Sequence, residues 1–281
     1  MATKTAARSG PIYDPMVALE FFKAAGKPEN VAQGKTLFAE NQKANPYFLM
    51  RQKMYLLLEG EVDLVARKKV IGTVAKGGIF GEMASITHAP RSAGAVAKSA
   101  CRVIALDDQQ FRSGLEKKPA FALMLMSIMI GRVRDTIAKL AERTQIGGAA
   151  ILKASAAVDP KRLAELAEGL ASDPPVHYDR GKTIVEEGQT GLRMYAVLEG
   201  VVTVSVGGSA VERLGPGGVF GELALVEQSP RLASVIAETD CELLPINRNA
   251  FLMMVKTNSD FAASLLGSIA ERLRVLTARL K

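Results

Sequence analysis

Glu222 and Arg231 stand nine positions apart in the stretch Phe220-Gly221-Glu222-Leu223-Ala224-Leu225-Val226-Glu227-Gln228-Ser229-Pro230-Arg231, and they are suited to binding rather than to bond-breaking. A Gly ahead of a short helical turn lets the backbone approach a ligand, and the free amides around Glu222 to Ala224 can point at an anion such as phosphate. Arg231 offers that anion a planar, two-pronged donor. An ionised Glu only accepts hydrogen bonds, which suits Glu222 to a sugar hydroxyl and not to phosphate. Phosphate together with a sugar hydroxyl suggests a nucleotide.

The pattern occurs twice. Phe80-Gly81-Glu82-Met83-Ala84, followed by Pro90-Arg91, lies 140 residues earlier, and each copy is preceded by Gly-Gly and a β-branched residue. A spaced pattern repeated in register is far more specific than a single Phe-Gly-Glu.

The elements that must hold these stretches repeat as well. Asp14-Pro15 and Asp159-Pro160 each offer an N-cap and a Pro at the first helical position, leading into short amphipathic helices over about 15–25 and 160–171. Gly34-Lys35-Thr36 and Gly181-Lys182-Thr183 follow, and the P-loop they suggest fails because Glu29 and Val176 stand where its first Gly is required. Alternating segments such as Tyr55 to Gly60 and Tyr195 to Gly200, broken by Gly turns, predict many short antiparallel strands. The fold class expected is mainly β with flanking α: two tandem jelly rolls, each followed by a long C-terminal helix. Their bounds are 14–144 and 159–281, with a Gly- and Ala-rich linker at 145–158.

Each repeat closes on a helix with a 3-4 apolar stripe, Met126, Ile130, Val133, Ile137 and Leu140 in the first and Leu266, Ile269, Leu273, Leu276 and Leu280 in the second. Two matched stripes predict that the helices pair, as an intrachain pseudo-dimer or across a homodimer. Repeat 1 carries seven extra residues between about Asn41 and Met54, among them Tyr47, Phe48, Leu49 and Met50, a partner surface or a flap on its own barrel.

Composition narrows the classes further. With 281 residues, 48% of them apolar, two cores are affordable to the chain, and no run is long and apolar enough to span a bilayer. No signal peptide is evident at the N-terminus, so the expected address is the cytoplasm, without membrane attachment. Cys101 and Cys241 are too few for a disulfide framework and sit in strand-like runs as packed thiols; with His88 and His177 alone, a metal centre is not expected. Residues 1–150 carry 22 basic and 13 acidic side chains, a surplus consistent with an acidic partner or with a solvated surface. No nucleophile elbow, zinc helix or P-loop is present, so no enzyme is expected and no cofactor.

On these residues each repeat resembles a cyclic nucleotide-binding domain, the module of catabolite activators and of protein kinase A regulatory subunits. The resemblance rests on Phe220-Gly-Glu-Leu-Ala-Leu with Pro230-Arg-Leu-Ala-Ser-Val235, and on Phe80-Gly-Glu-Met-Ala-Ser with Pro90-Arg-Ser-Ala-Gly-Ala95. It implies that Glu82 and Glu222 take the ribose 2′-hydroxyl and Arg91 and Arg231 the cyclic phosphate. Gly81, Ala84 and Ser92 in the first cassette, and Gly221, Ala224 and Ser234 in the second, complete the ligand-binding sets. Thr136 and Thr277 fall near where activator-type relatives contact the base. Two departures are visible: bulky Leu232 follows Arg231, where the family has a small residue, and Gly94 stands where Ser234 keeps a hydroxyl.

The function implied is a non-catalytic sensor in which a cyclic nucleotide, cAMP ahead of cGMP, shifts barrel against terminal helix to act on an unidentified protein partner. A transcription regulator-like protein and a degenerate scaffold are the alternatives. The chain stops at Lys281 directly after the last helix, so specific DNA binding is not expected.

Overall fold

The computed structural model describes residues 14–43, 52–142, 152–153 and 174–279. The chain divides into two compact units, residues 14–122 and the described residues from Leu123 on. The extra residues Tyr47 to Met50, the helix expected over 160–171, Leu280, and most of 145–158 lie outside the described residues.

The first unit opens on α1 (Pro15–Ala25), started as its sequence predicts: the Asp14 carboxylate accepts from the Met16 amide at 2.8 Å, and Pro15 occupies a position that needs no donor. α1 buries Ala18, Phe21 and Phe22, and Phe21 stacks on Phe121 at 3.8 Å between ring centroids. Asp14→Ala should cost this unit about 1 kcal/mol, read as an earlier midpoint in urea.

Eight strands follow: β1 (Lys27–Val31), β2 (Thr36–Phe38), β3 (Lys53–Glu59), β4 (Val62–Ala66), β5 (Lys69–Val74), β6 (Ile79–Phe80), β7 (Gly94–Ala97) and β8 (Cys101–Asp107). They form two antiparallel four-stranded sheets, ordered β1-β8-β3-β6 and β2-β7-β4-β5, with the alternate apolar residues Tyr55, Leu57, Val62, Phe80, Ala95 and Val103 meeting in the core. The short helix α2 (Glu82–Thr87) interrupts the barrel between β6 and β7, and α3 (Asp108–Lys117) begins on a capping box of Asp107 and Gln110. α4 (Ala120–Glu142) starts in this unit and from Leu123 belongs to the second.

The second unit repeats the plan with β10 (Val176–Tyr178), β11 (Thr183–Val185), β12 (Arg193–Glu199), β13 (Val202–Val206), β14 (Ser209–Leu214), β15 (Val219–Phe220), α5 (Glu222–Glu227), β16 (Ser234–Ala237), β17 (Cys241–Asn247), α6 (Arg248–Thr257) and α7 (Ser259–Arg279). Its sheets run β10-β17-β12-β15 and β11-β16-β13-β14, the latter extended by the two-residue strand β9 (Leu152–Lys153), parallel to β14. Even the irregularities recur, with register shifts at Leu57/Glu59 and Val197/Glu199 and at Leu64/Val65 and Val204/Ser205. Gly60 and Gly200 sit at φ of 88° and 83° against the Ala100 and Asp240 carbonyls, where a Cβ would collide.

Both thiols are free and buried, and each donates to a carbonyl in the turn before the next strand, Cys101 to Glu61 at 3.2 Å and Cys241 to Val201 at 3.3 Å. The terminal-helix stripes are buried at Met126, Ile130, Val133 and Leu140 and at Leu266, Ile269, Leu273 and Leu276. No described helix is long and apolar enough to cross a membrane.

Candidate functional site

Each cassette is a turn forced by one glycine. Gly81 and Gly221 cap α2 and α5 in the left-handed region, at φ of 75° and 85°, and a Cβ on either would run into the guanidinium of Arg91 or Arg231. That conformation turns the chain from β6 or β15 into the helix with Glu82 or Glu222 as its first, buried residue. Ala84 and Ala224 follow as buried small residues, leaving room beneath the turn.

The two arginines fold back onto the backbone that carries the cassette. Arg91 donates from Nη1 to the Gly81 carbonyl and from Nη2 to the Lys53 carbonyl, both at 2.7 Å, and lies over the Phe38 ring at 4.0 Å. Arg231 makes the matching bonds to Gly221, at 2.8 Å, and to Arg193. Burial pulls the Arg91 pKa down to about 10, and it lowers that of Arg231 as well. Arg91 Nε is buried without a hydrogen-bond partner among the described residues, a donor available to an anion. Ser92 is exposed, whereas the Ser234 hydroxyl accepts from the Glu187 amide at 3.0 Å and fastens the loop before the cassette.

Beneath the second cassette lies a cavity of about 90 Å³ walled by apolar side chains, among them Val133 and Ile137 of α4, Leu232 and Leu276. Glu222, fully buried, lines it. One carboxylate oxygen of Glu222 pairs with Nη1 of Arg272 on α7; the other, Oε2, has no partner among the described residues. The remaining Arg272 donors reach Glu212 on β14, at 2.9 Å, and the Val219 carbonyl, at 2.7 Å. Burial works against the Arg272 cation, but Glu212 and Glu222 outweigh it and hold the pKa above the ordinary arginine value. A second tie runs from α4: Arg134 donates to Glu227, at 2.5 Å, and to the Ser229 hydroxyl, at 2.8 Å, at the far end of α5.

The helix threonines are placed differently from the residues that line this cavity. Thr136 is buried and donates to the Arg132 carbonyl of its own helix at 2.7 Å, and Thr277 is exposed. Sequence reasoning missed Arg272, Glu212 and Arg134. A signal for Arg272 was present, because it interrupts the apolar stripe between Ile269 and Leu276 and has a counterpart, Arg132, 140 residues earlier. Glu212 likewise occupies an inward strand position in phase with Leu214.

Residues 28–118 and 175–258 match the cyclic nucleotide-binding domain family. A cAMP-dependent protein kinase regulatory subunit of Eremothecium gossypii is 28% identical over 222 residues, 79% of this chain but 41% of that protein, so the chain spans about two fifths of that curated relative. Among solved structures, the regulatory domain of Toxoplasma gondii PKA with cAMP is 21% identical and is matched over 95% of this chain and 91% of its own, with a TM-score of 0.30. The Thermus thermophilus catabolite activator protein is 29% identical over 43% of this chain and 58% of its own, with a TM-score of 0.38. With two matched segments covering both jelly rolls and both glycine-capped turns, this chain belongs to the cyclic nucleotide-binding domain family, as a tandem pair.

Proposed function

We propose that the chain is a regulatory sensor without catalytic chemistry, in which a cyclic nucleotide, cAMP ahead of cGMP, occupies the cassettes and repositions the helices that close them. The observation that carries this reading is Glu222 Oε2, a fully buried acceptor without a partner among the described residues, on a side chain that lines a largely apolar cavity. A buried carboxylate oxygen left unsatisfied is costly, and a ligand hydroxyl is what removes the cost. Arg91 Nε supports the same reading from the first cassette, as a buried donor awaiting an acceptor such as a phosphate oxygen.

The cavity is smaller than the few hundred Å³ of ordinary small-molecule sites. Binding therefore moves walls: Leu232 on the cassette, Ile137 on α4 and Leu276 on α7 give way, and the Arg134 to Glu227 tie passes the motion of α5 to α4. The helices are then the surface that a protein partner reads, and the cytoplasm is the compartment this role assigns. The glycine-capped turns and the Glu and Arg residues are intact in both repeats, which favours a working sensor over a degenerate scaffold.

Thermal unfolding of the purified chain with cAMP and with cGMP tests this reading. A ligand that binds only the folded state stabilises it by about 2.7 kcal/mol at one hundred times its Kd, so a concentration-dependent rise in Tm is expected. An unchanged Tm with both ligands at millimolar concentration would contradict the reading.

A further inference from the structure

Arg231 lines two cavities. One is the cavity that Glu222 lines; the other, of about 540 Å³, shares only Val185 and Arg231 with it and lies along the loop from Glu186 to Arg193. Gly191 belongs to that loop, and a Cβ there would run into the Arg231 guanidinium, so the loop backbone leaves the guanidinium its place in the cavity wall. The volume falls in the range of about 300–1,000 Å³ that small-molecule sites occupy.

The first unit builds the same loop cavity independently. Arg91 lines a space of about 550 Å³, in which Leu37, Gln42, Tyr55 and Asp107 take the places of Ile184, Gln189, Tyr195 and Asn247. One bond recurs in both walls: the backbone amide of the arginine donates to the glutamine carbonyl, Arg91 to Gln42 at 3.0 Å and Arg231 to Gln189 at 2.8 Å. The ionisable side chains differ, but their sum does not. Lys35, Lys53 and Arg91 stand against Glu29 and Asp107 in the first cavity. Arg193 and Arg231 stand against Glu186 in the second, so each cavity keeps one net positive charge.

That charge is partly buried and has no ion-pair partner on the arginine. Arg91 is 4% and Arg231 8% exposed, and among the described residues each guanidinium hydrogen-bonds only to backbone carbonyls, with Arg91 Nε left without a partner. A buried cation without a counter-charge favours an incoming anion, and a planar guanidinium meets a carboxylate edge to edge. Each loop cavity also has an apolar side, Ile184, Val185 and the 80% exposed Leu192 in the second, Val31, Leu37 and Phe38 in the first. We propose that the loop cavity is a second ligand site of each barrel, and that it takes a small organic monoanion: a carboxylate on the arginine, with an aromatic or branched apolar body on the apolar side. The site is distinct from the one that Glu222 lines and stands whether or not the cassettes take a nucleotide.

Methyl NMR of the full chain tests this, with benzoate as the anionic probe and benzyl alcohol as its neutral counterpart. Ile184 reports on the loop cavity of the second unit and Ile137 on the cavity that Glu222 lines. Benzoate should shift the Ile184 methyl saturably and ahead of Ile137, with benzyl alcohol binding at least about tenfold more weakly. A unit charge roughly 8–10 Å from the carboxylate, at an effective dielectric constant of about 20, changes anion affinity on the order of tenfold. Glu186→Gln should therefore tighten benzoate and Asn247→Asp loosen it, each about tenfold, while benzyl alcohol stays where it was. Asn247→Asp keeps the helix start, because Asp caps as well as Asn does and Asp107 caps α3 in the first unit. No saturable shift of Ile184 up to millimolar benzoate, a response at Ile137 ahead of Ile184, or variants that leave benzoate unchanged or move both probes together would each overturn the proposal.

Discussion

Arg272→Ala is expected to destabilise the second unit by about 3–5 kcal/mol, the scale of breaking a buried ion pair by removing one partner. The Arg272 side chain is 12% exposed and its guanidinium donates to Glu212, Glu222 and the Val219 carbonyl, so its loss strands two carboxylates in an apolar wall. The loss is electrostatic rather than a matter of volume, which gives the prediction its control. Replacing Glu212, Glu222 and Arg272 together with Leu, Leu and Met should recover most of the stability, because a well-packed apolar substitute is often neutral or stabilising. Urea unfolding of the single and triple variants measures both effects. A single variant within about 1 kcal/mol of the parent would show that the triad is not buried in the way the structure describes.

Arg231→Ala should weaken cyclic nucleotide binding at the second cassette by about 2–5 kcal/mol, the scale of truncating one partner of a buried charge pair. The guanidinium also donates to the Gly221 and Arg193 carbonyls, so the variant loses some unliganded stability too, about 1–3 kcal/mol for the groups left unsatisfied. Ligand dependence separates the two roles. If Arg231 binds phosphate, its loss removes the response of the second cassette to cAMP and leaves that of the first; if it only braces the turn, the variant melts earlier but keeps both responses. Arg91→Ala should show the converse, given the same pair of backbone bonds to Gly81 and Lys53.

The turns that position Glu and Arg were legible in the sequence because they need residues nothing else supplies: a Gly at φ near 80°, a small Ala two positions past the acid, and Arg after Pro. Period-2 alternation between Gly turns likewise announced the double-sheet barrel, and Asp14-Pro15 the start of α1. What closes the second site was not read, because it depends on pairing across long separations. Glu212 and Arg272 are 60 residues apart, and each looked like an ordinary charged residue until the strand phase and the helix stripe were superposed. The threonines depend on helix rotation, which the apolar stripe alone leaves open. They lie on two helices, α4 and α7, and rotation about each axis decides which side chains line the cavity: Val133 and Ile137 do, while Thr136 bonds back to Arg132.

The central claim, that a buried glutamate and an arginine read a sugar hydroxyl and a phosphate, is tested most directly by comparing cAMP with 2′-deoxy-cAMP on the same chain. Sites built to hydrogen-bond a hydroxyl reject analogues lacking it because a buried polar group is left unpaired. Glu222 Oε2, buried and without a partner among the described residues, is such a group. The account predicts that the deoxy analogue binds the parent at least about tenfold more weakly, and that Glu222→Gln narrows this gap at the second cassette. Equal affinity of the parent for cAMP and its 2′-deoxy analogue would contradict it.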